Sequence, residues 1–218
     1  MLSIHITSEI DYGIDTFMSK VRSSVTPLNR QLMGEAETAV TPVDAFLLAR
    51  RKFQSGERID MGAIADELSV SRVTLYRWVG SREELHAEVL WSLTRRTLDR
   101  HIARVRLVGG ERVARIVGGF LKDTIGHAGM EAWLEREGEF AMRLMTRADG
   151  QFQPRLLAAV RDLLSEEIGA GQLSVPIEIG ELAYVIVRLV ESYVYRRLIT
   201  GEPAKAGPAE SVLKAILR

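Results

Sequence analysis

The sequence holds no cysteine. Disulfides and thiolate metal sites are therefore excluded, which suits a reducing compartment. Also missing is any run of eighteen apolar residues free of charge, the length that a membrane-spanning helix needs. The first residues include acids where a signal peptide has an apolar core. These absences predict a cytoplasmic protein with no membrane partner. Metal-ligand spacing is absent too: His5, His86, His101 and His127 are scattered, with no HExxH pattern among them. There is no GxSxG elbow, no P-loop and no GxGxxG leading into a helix. No catalytic residue, cofactor or metal is expected, and an enzyme is not. Net charge is missing as well. The 29 basic residues balance 29 acidic ones, which argues against a chain that coats nucleic acid indiscriminately.

What is present is helical periodicity, organised around one stretch, Ile59 to Leu85. Asp60 is placed to cap a helix over roughly Met61 to Leu68, with Ile64, Ala65 and Leu68 on its apolar edge. Ser69-Val70-Ser71 interrupts the pattern, and Ser71 is placed to cap a second helix from Arg72 to Val79. Gly80 ends it, and Ser81-Arg82-Glu83-Glu84 is a capping box opening a third. Two short helices around a three-residue turn have the proportions of a helix-turn-helix, whose second helix enters the DNA major groove. That second helix offers Ser71, Arg72, Thr74, Tyr76 and Arg77, hydroxyls and guanidinium groups suited to phosphates and base edges alike. A plain helical hairpin with a solvated polar face is the competing account.

Ile64-Ala65, Leu68, Val70-Ser71, Thr74-Leu75-Tyr76-Arg77 and Ser81-Arg82-Glu83-Glu84-Leu85 together resemble the N-terminal signature of TetR-family transcriptional regulators. The family more often has Gly at Ser69, His-Phe at Trp78-Val79 and Lys at Arg82. The resemblance implies an all-α fold: an N-terminal three-helix helix-turn-helix DNA-binding domain, followed by a C-terminal helical ligand-binding and dimerisation domain. It further implies a homodimer on a palindromic double-stranded operator, released by a small-molecule effector. In that scheme Arg72 and Arg77, or Thr74, read bases or grip flanking phosphates, while Tyr76 and Arg82 anchor backbone.

Residues 1–41 are poorly periodic and read as a partly flexible arm, whose Lys20, Arg22 and Arg30 either touch phosphates or simply stay solvated. Residues 42–106 read as the DNA-binding domain with its linking helix. Thr41-Pro42 starts a helix that places Val43, Phe46, Leu47 and Phe53 on a core face. The helix opened by Ser81 continues to about Arg106, and Val108-Gly109-Gly110 is the expected break before the ligand domain, residues 107–218.

There the pattern predicts helices over Glu111–Gly126, Met130–Arg147 (split near Gly138), Phe152–Ile168, Glu178–Thr200 and Pro208–Arg218. Gly118-Gly119 inside the first costs about 1 kcal/mol per residue against Ala, so either something approaches closely there or the helix bends. Trp133, Phe140, Met142 and Met145 suit an adaptable apolar pocket and equally an ordinary core. In the Glu178–Thr200 helix, Tyr184, Arg188, Glu191 and Tyr195 form one polar stripe. It is either a wet Arg188–Glu191 pair flanked by tyrosines or a set of polar handles for a ligand headgroup. The last two helices are apolar enough for a four-helix dimer contact.

The N-terminal arm, the RRKFQSGERIDM run and the GMEAWLERE segment resemble the QsdR-like branch of the family, regulators of a γ-lactone and quorum-signal degradation pathway. That resemblance implies a γ-lactone or acyl-homoserine lactone effector, with its alkyl chain among Trp133, Phe140, Met142 and Met145. A TetR-type regulator of a fatty acyl compound or drug is the alternative. A helical protein-interaction module without DNA binding is a further alternative, from another class.

Overall fold

The computed structural model describes residues 40–218, so the expectations for the N-terminal arm lie outside the described residues. Helix α1 (Pro42–Gln54) leads into α2 (Met61–Glu67) and α3 (Arg72–Val79), and α4 (Arg82–Arg104) follows. Asp60 caps α2, accepting from the Ala63 amide at 2.9 Å. Ser71 caps α3, accepting from the Thr74 amide at 3.0 Å. The box that opens α4 is closed in both directions: the Ser81 amide donates to Glu84 at 2.6 Å, and the Glu84 amide to Ser81 Oγ at 3.1 Å. All three starts were legible as side-chain caps, because each satisfies amides that the first turn leaves free.

The buried face of α1 differs from the expected one. Ala45, Leu48, Ala49 and Phe53 are buried, while Val43 faces solvent and Phe46 and Leu47 are half-buried. Ala45 and Ala49, one turn apart, offer the small surface at which neighbouring helices approach, and this turns the larger Val43 outward.

The body comprises α5 (Gly109–Ile125), α6 (Ala128–Thr146), α7 (Gln153–Gly169), α8 (Ile179–Val194), α9 (Arg196–Thr200) and α10 (Gly207–Ile216). α5 is central, packed against α4, α6, α7, α8 and α10. Its two glycines mark close approach rather than a bend: a Cβ on Gly119 would lie 2.6 Å from the His101 ring of α4, and one on Gly118 would lie 3.0 Å from Glu210 of α10. At the start of α5, Gly109 has φ +61° and leaves no room for a Cβ, which would lie 2.4 Å from the Gln172 carbonyl. Glu167 reaches across from α7 to the Gly109 amide and to Arg112.

One feature of the body departs from expectation. The helix predicted over Glu178–Thr200 breaks at Tyr195 into α8 and α9. Tyr184 and Val185 of α8 are exposed, as are Val212 and Ile216 on neighbouring α10. The break in α6 falls at Glu137 (φ −138°, ψ 40°), one residue before Gly138. Among the described residues all regular structure is helical, and one buried core runs from Ala45 to Leu217.

Candidate functional site

Leu75 is the one buried residue of α3. At 100° per residue, Val73 and Arg77 fall on the side opposite Leu75, with Tyr76 beside them and Arg72 only about 60° from Leu75. Val73 is 79% exposed and Tyr76 48%. Arg72 and Arg77 are exposed as well, and so is Ser71 at the helix start. Thr74 is half-buried, its hydroxyl 2.9 Å from that of Ser71, so both hydroxyls already serve the cap. The Arg72 guanidinium lies over Gly62 in the first turn of α2, where any Cβ would lie 2.6 Å from it. Asp60 is nearby, and the Ala63 amide together with the charges of Arg58 and Arg72 holds its carboxyl below the usual range despite some desolvation. Val73 was not foreseen as a surface residue, because an apolar residue at helical spacing reads as core.

Arg82 does not join this face. Its Nε donates to the Ile59 carbonyl at 2.9 Å, and its Nη2 lies 2.6 Å from both carboxylate oxygens of Glu137. Its guanidinium lies 4.9 Å over the Phe140 ring. The cation expected to anchor DNA backbone is committed inside the chain, because the carboxylate, the carbonyl and the ring together outmatch water as partners.

The eight residues expected to line a ligand cavity are not brought together. Trp133 is buried, stacked on His86 at 5.6 Å and edge-on to Phe53 and Phe140 at 5.8 and 6.1 Å. Phe140 also meets His86 edge-on at 5.2 Å. These rings form a seam joining α1 and α4 to α6, a core role that residue type alone did not distinguish from a pocket. Met145 is buried in the core and Met142 packs partly buried against it. Of the polar stripe, Tyr184 is exposed beneath the Arg188 guanidinium, which lies 5.2 Å over its ring. Arg188 donates to Glu191 at 2.9 Å. Burial pushes the Glu191 carboxyl up to about 7, with Arg188 opposing. Tyr195 is buried and its hydroxyl lacks a partner; burial raises its pKa above the ordinary value, Glu191 adds to the rise and Arg188 opposes it.

A cavity of about 550 Å³ opens elsewhere, between α6 and the end of α8 with α9. Met130, Leu134, Val194 and Leu198 give it apolar walls, and Glu131, Glu135 and Arg197 stand at its polar side. Arg197 donates to Glu135 at 2.6 Å. Tyr184 instead borders a separate hollow of about 300 Å³ between α7 and α8. The sequence signal for the first cavity was faint, because its lining comes from two segments some sixty residues apart, as the 62-residue span of the Arg197–Glu135 bond shows. No metal-ligand cluster is found among the described residues, and none of their helices is long and apolar enough to cross a membrane.

Residues 108–218 match the family described as "Tetracyclin repressor-like, C-terminal domain". The chain belongs to the TetR family. Among solved structures it is similar to the transcriptional repressor QsdR of R. erythropolis, a TetR-family protein. The two are 26% identical with a TM-score of 0.73, over 81% of this chain and 93% of that one. A TetR-family transcriptional regulator from Rhodococcus sp. matches at 16% identity and a TM-score of 0.48, over 80% of this chain and 94% of that one. No curated protein sequence matches. TetR-family regulators bind DNA as dimers, bind small-molecule effectors and are in general not enzymes.

Proposed function

We propose that the protein is a cytoplasmic, ligand-responsive transcriptional repressor that binds a palindromic operator as a homodimer and is released by a small apolar effector. The observation that carries this reading is the open face of α3, where Val73, Tyr76 and Arg77 are exposed on a helix capped at Ser71 and seated on Leu75, with Arg72 at its edge over Gly62. Guanidinium groups serve bases or phosphates, and an exposed valine suits the thymine methyl group. Exposed Tyr184, Val185, Val212 and Ile216 on neighbouring α8 and α10 support a dimer built through those helices, with its two α3 helices about 34 Å apart on one face of the duplex. In domain terms, 42–106 is the reading head and 107–218 the effector and dimer body.

The effector site in this reading is the cavity between α6 and α9, with an alkyl chain against Leu134, Val194 and Leu198. A γ-lactone or acyl-homoserine lactone is the first effector class, on the likeness to QsdR. A fatty acyl compound is the second, since the walls of Leu134, Val194 and Leu198 suit any alkyl chain. Effector and operator then weaken each other by the same factor.

Fluorescence anisotropy tests this, on labelled duplex from upstream of the protein's own gene at fixed salt. Tight, sequence-selective binding reversed by a lactone is the expected outcome. Binding that only fatty acids reverse moves the effector to the second class. Absence of selective binding replaces the repressor with a helical protein-interaction module.

A further inference from the structure

A helix that leaves its track mid-length gives up backbone hydrogen bonds, so something must hold the break open. In α6 the off-track residue is Glu137. Its carboxylate, 14% exposed, lies 2.6 Å from Arg82 and 3.3 Å from Arg58. Those partners are not arbitrary positions. Arg58 stands two residues before Asp60, the cap of α2, and Arg82 is the first residue of α4. Arg82 also holds the Ile59 carbonyl. One carboxylate therefore ties the strand of chain entering the helix-turn-helix to the helix leaving it. Burial alone would raise the Glu137 pKa, but the hydrogen bonds and charge of Arg82, with Arg58 behind them, bring it below the usual range. The carboxylate is charged whenever the clasp is closed. Arg136 and Arg143 flank it with bonds to the Gly56 carbonyl at 2.7 Å and to Glu83 at 3.1 Å.

The other side of the break lies against a residue of the cavity wall. A Cβ on Gly138 would lie 2.9 Å from Leu198 Cδ2, and Leu198 lines the cavity together with Leu134 and Glu135 from the turn before the break. Leu198 is therefore the cavity side chain that lies against the backbone beside Glu137.

We propose that Glu137 is the positioning residue that couples this cavity to the reading head. With the cavity as it stands, the broken α6 presents the carboxylate to Arg58 and Arg82 and fixes the angle of α2 and α3. Displacement of Leu198 toward Gly138 turns the carboxylate away and frees the head. The regulatory sense of this coupling rests on the reading of the cavity as the effector site, but the coupling itself does not require DNA.

The test is amide hydrogen exchange on the full-length protein without DNA, so its failure and that of the repressor reading are separable. Glu137→Gln keeps the side chain's shape and removes its charge. Exchange across residues 59–79 is expected to accelerate by about tenfold, the factor that corresponds to one charge-assisted bond, with residues 109–125 unchanged. Leu198→Trp, the cavity-side variant, is expected to accelerate the same segment. The double variant is expected to exchange no faster than Glu137→Gln alone, because both act through one clasp. Wild-type exchange over 59–79 in Glu137→Gln, or effects that multiply in the double variant, overturns the proposal. Should Glu137→Gln not fold, Arg58→Ala takes its place. Arg58 is 59% exposed, its loss opens only the outer arm, and wild-type exchange in that variant overturns the proposal equally.

Discussion

His86 is buried on α4, and its Nδ1 lies 2.9 Å from the Arg82 carbonyl, which can only accept. Nδ1 therefore carries the proton, and Nε2 is left without a partner beside the Trp133 ring. Burial pushes the imidazole down from 6.5 to about 4. Below 6.5 the unfolded chain takes up a proton that the folded one refuses, so this group subtracts stability as pH falls, by up to about 3 kcal/mol at pH 4. Glu191 acts in the opposite sense. Burial raises its carboxyl from 4.5 to about 7, so the folded state holds the proton first and gains stability as pH falls through that window. The two slopes oppose each other between about pH 4.5 and 6.5. Urea titrations across that range are expected to separate them. His86→Gln should make the protein gain stability on acidification relative to wild type, and Glu191→Gln should make it lose stability. Parallel profiles for the two variants would refute both assignments. Ser69 offers a simpler case. It sits in the turn of the motif at φ 55°, the only non-glycine residue with positive φ among the described residues. Ser69→Gly is expected to raise stability by about 1 kcal/mol, seen as a higher denaturation midpoint at unchanged slope.

At the scale of the element, α3 carries the clearest expectation. Arg77→Ala is expected to weaken operator binding by about tenfold. If Arg77 grips phosphate, the salt slope drops by about one and all sequences weaken alike; if it reads a base, selectivity at one position relaxes instead. The legibility of the elements tracks how local their causes are. Asp60, Ser71 and Ser81 announce helix starts within three residues of themselves, and the glycine-marked break in α6 was visible to within one residue. The buried face of α1 was not, because Val43 and Ala45 are both apolar and only the partner helices decide which one turns inward. The same limit explains the candidate site. Trp133 and Phe140 have the composition of a pocket wall, yet Phe53 and His86, remote in sequence, claim them for a seam. Arg82 has the charge of a phosphate anchor, yet Glu137, 55 residues further on, holds it.

For the whole molecule, the exposed apolar side chains of α8 and α10 define the expected dimer surface. Val185→Glu combined with Val212→Glu is expected to give a folded monomer by sedimentation equilibrium. Operator affinity should then fall by at least about a hundredfold, since two half-sites are no longer engaged together. A double variant that stays dimeric would move the interface to another face. α4 matters at this scale as well, because its residues contribute both to the packing of the head and to that of α5. The helices on either side of α4 therefore share one core, and residues 105–108 join α4 to α5.

The seam of rings has an optical consequence. Trp133 lies stacked on His86 where head and body meet, while Trp78 and Trp91 are only half-buried. With Trp78 and Trp91 replaced by Phe, the remaining indole becomes a built-in reporter at the junction. Its emission wavelength and lifetime respond when the imidazole beside it shifts or water enters. The movement proposed for the reading head can then be tested in real time by stopped-flow fluorescence, with no dye and no DNA in the cuvette.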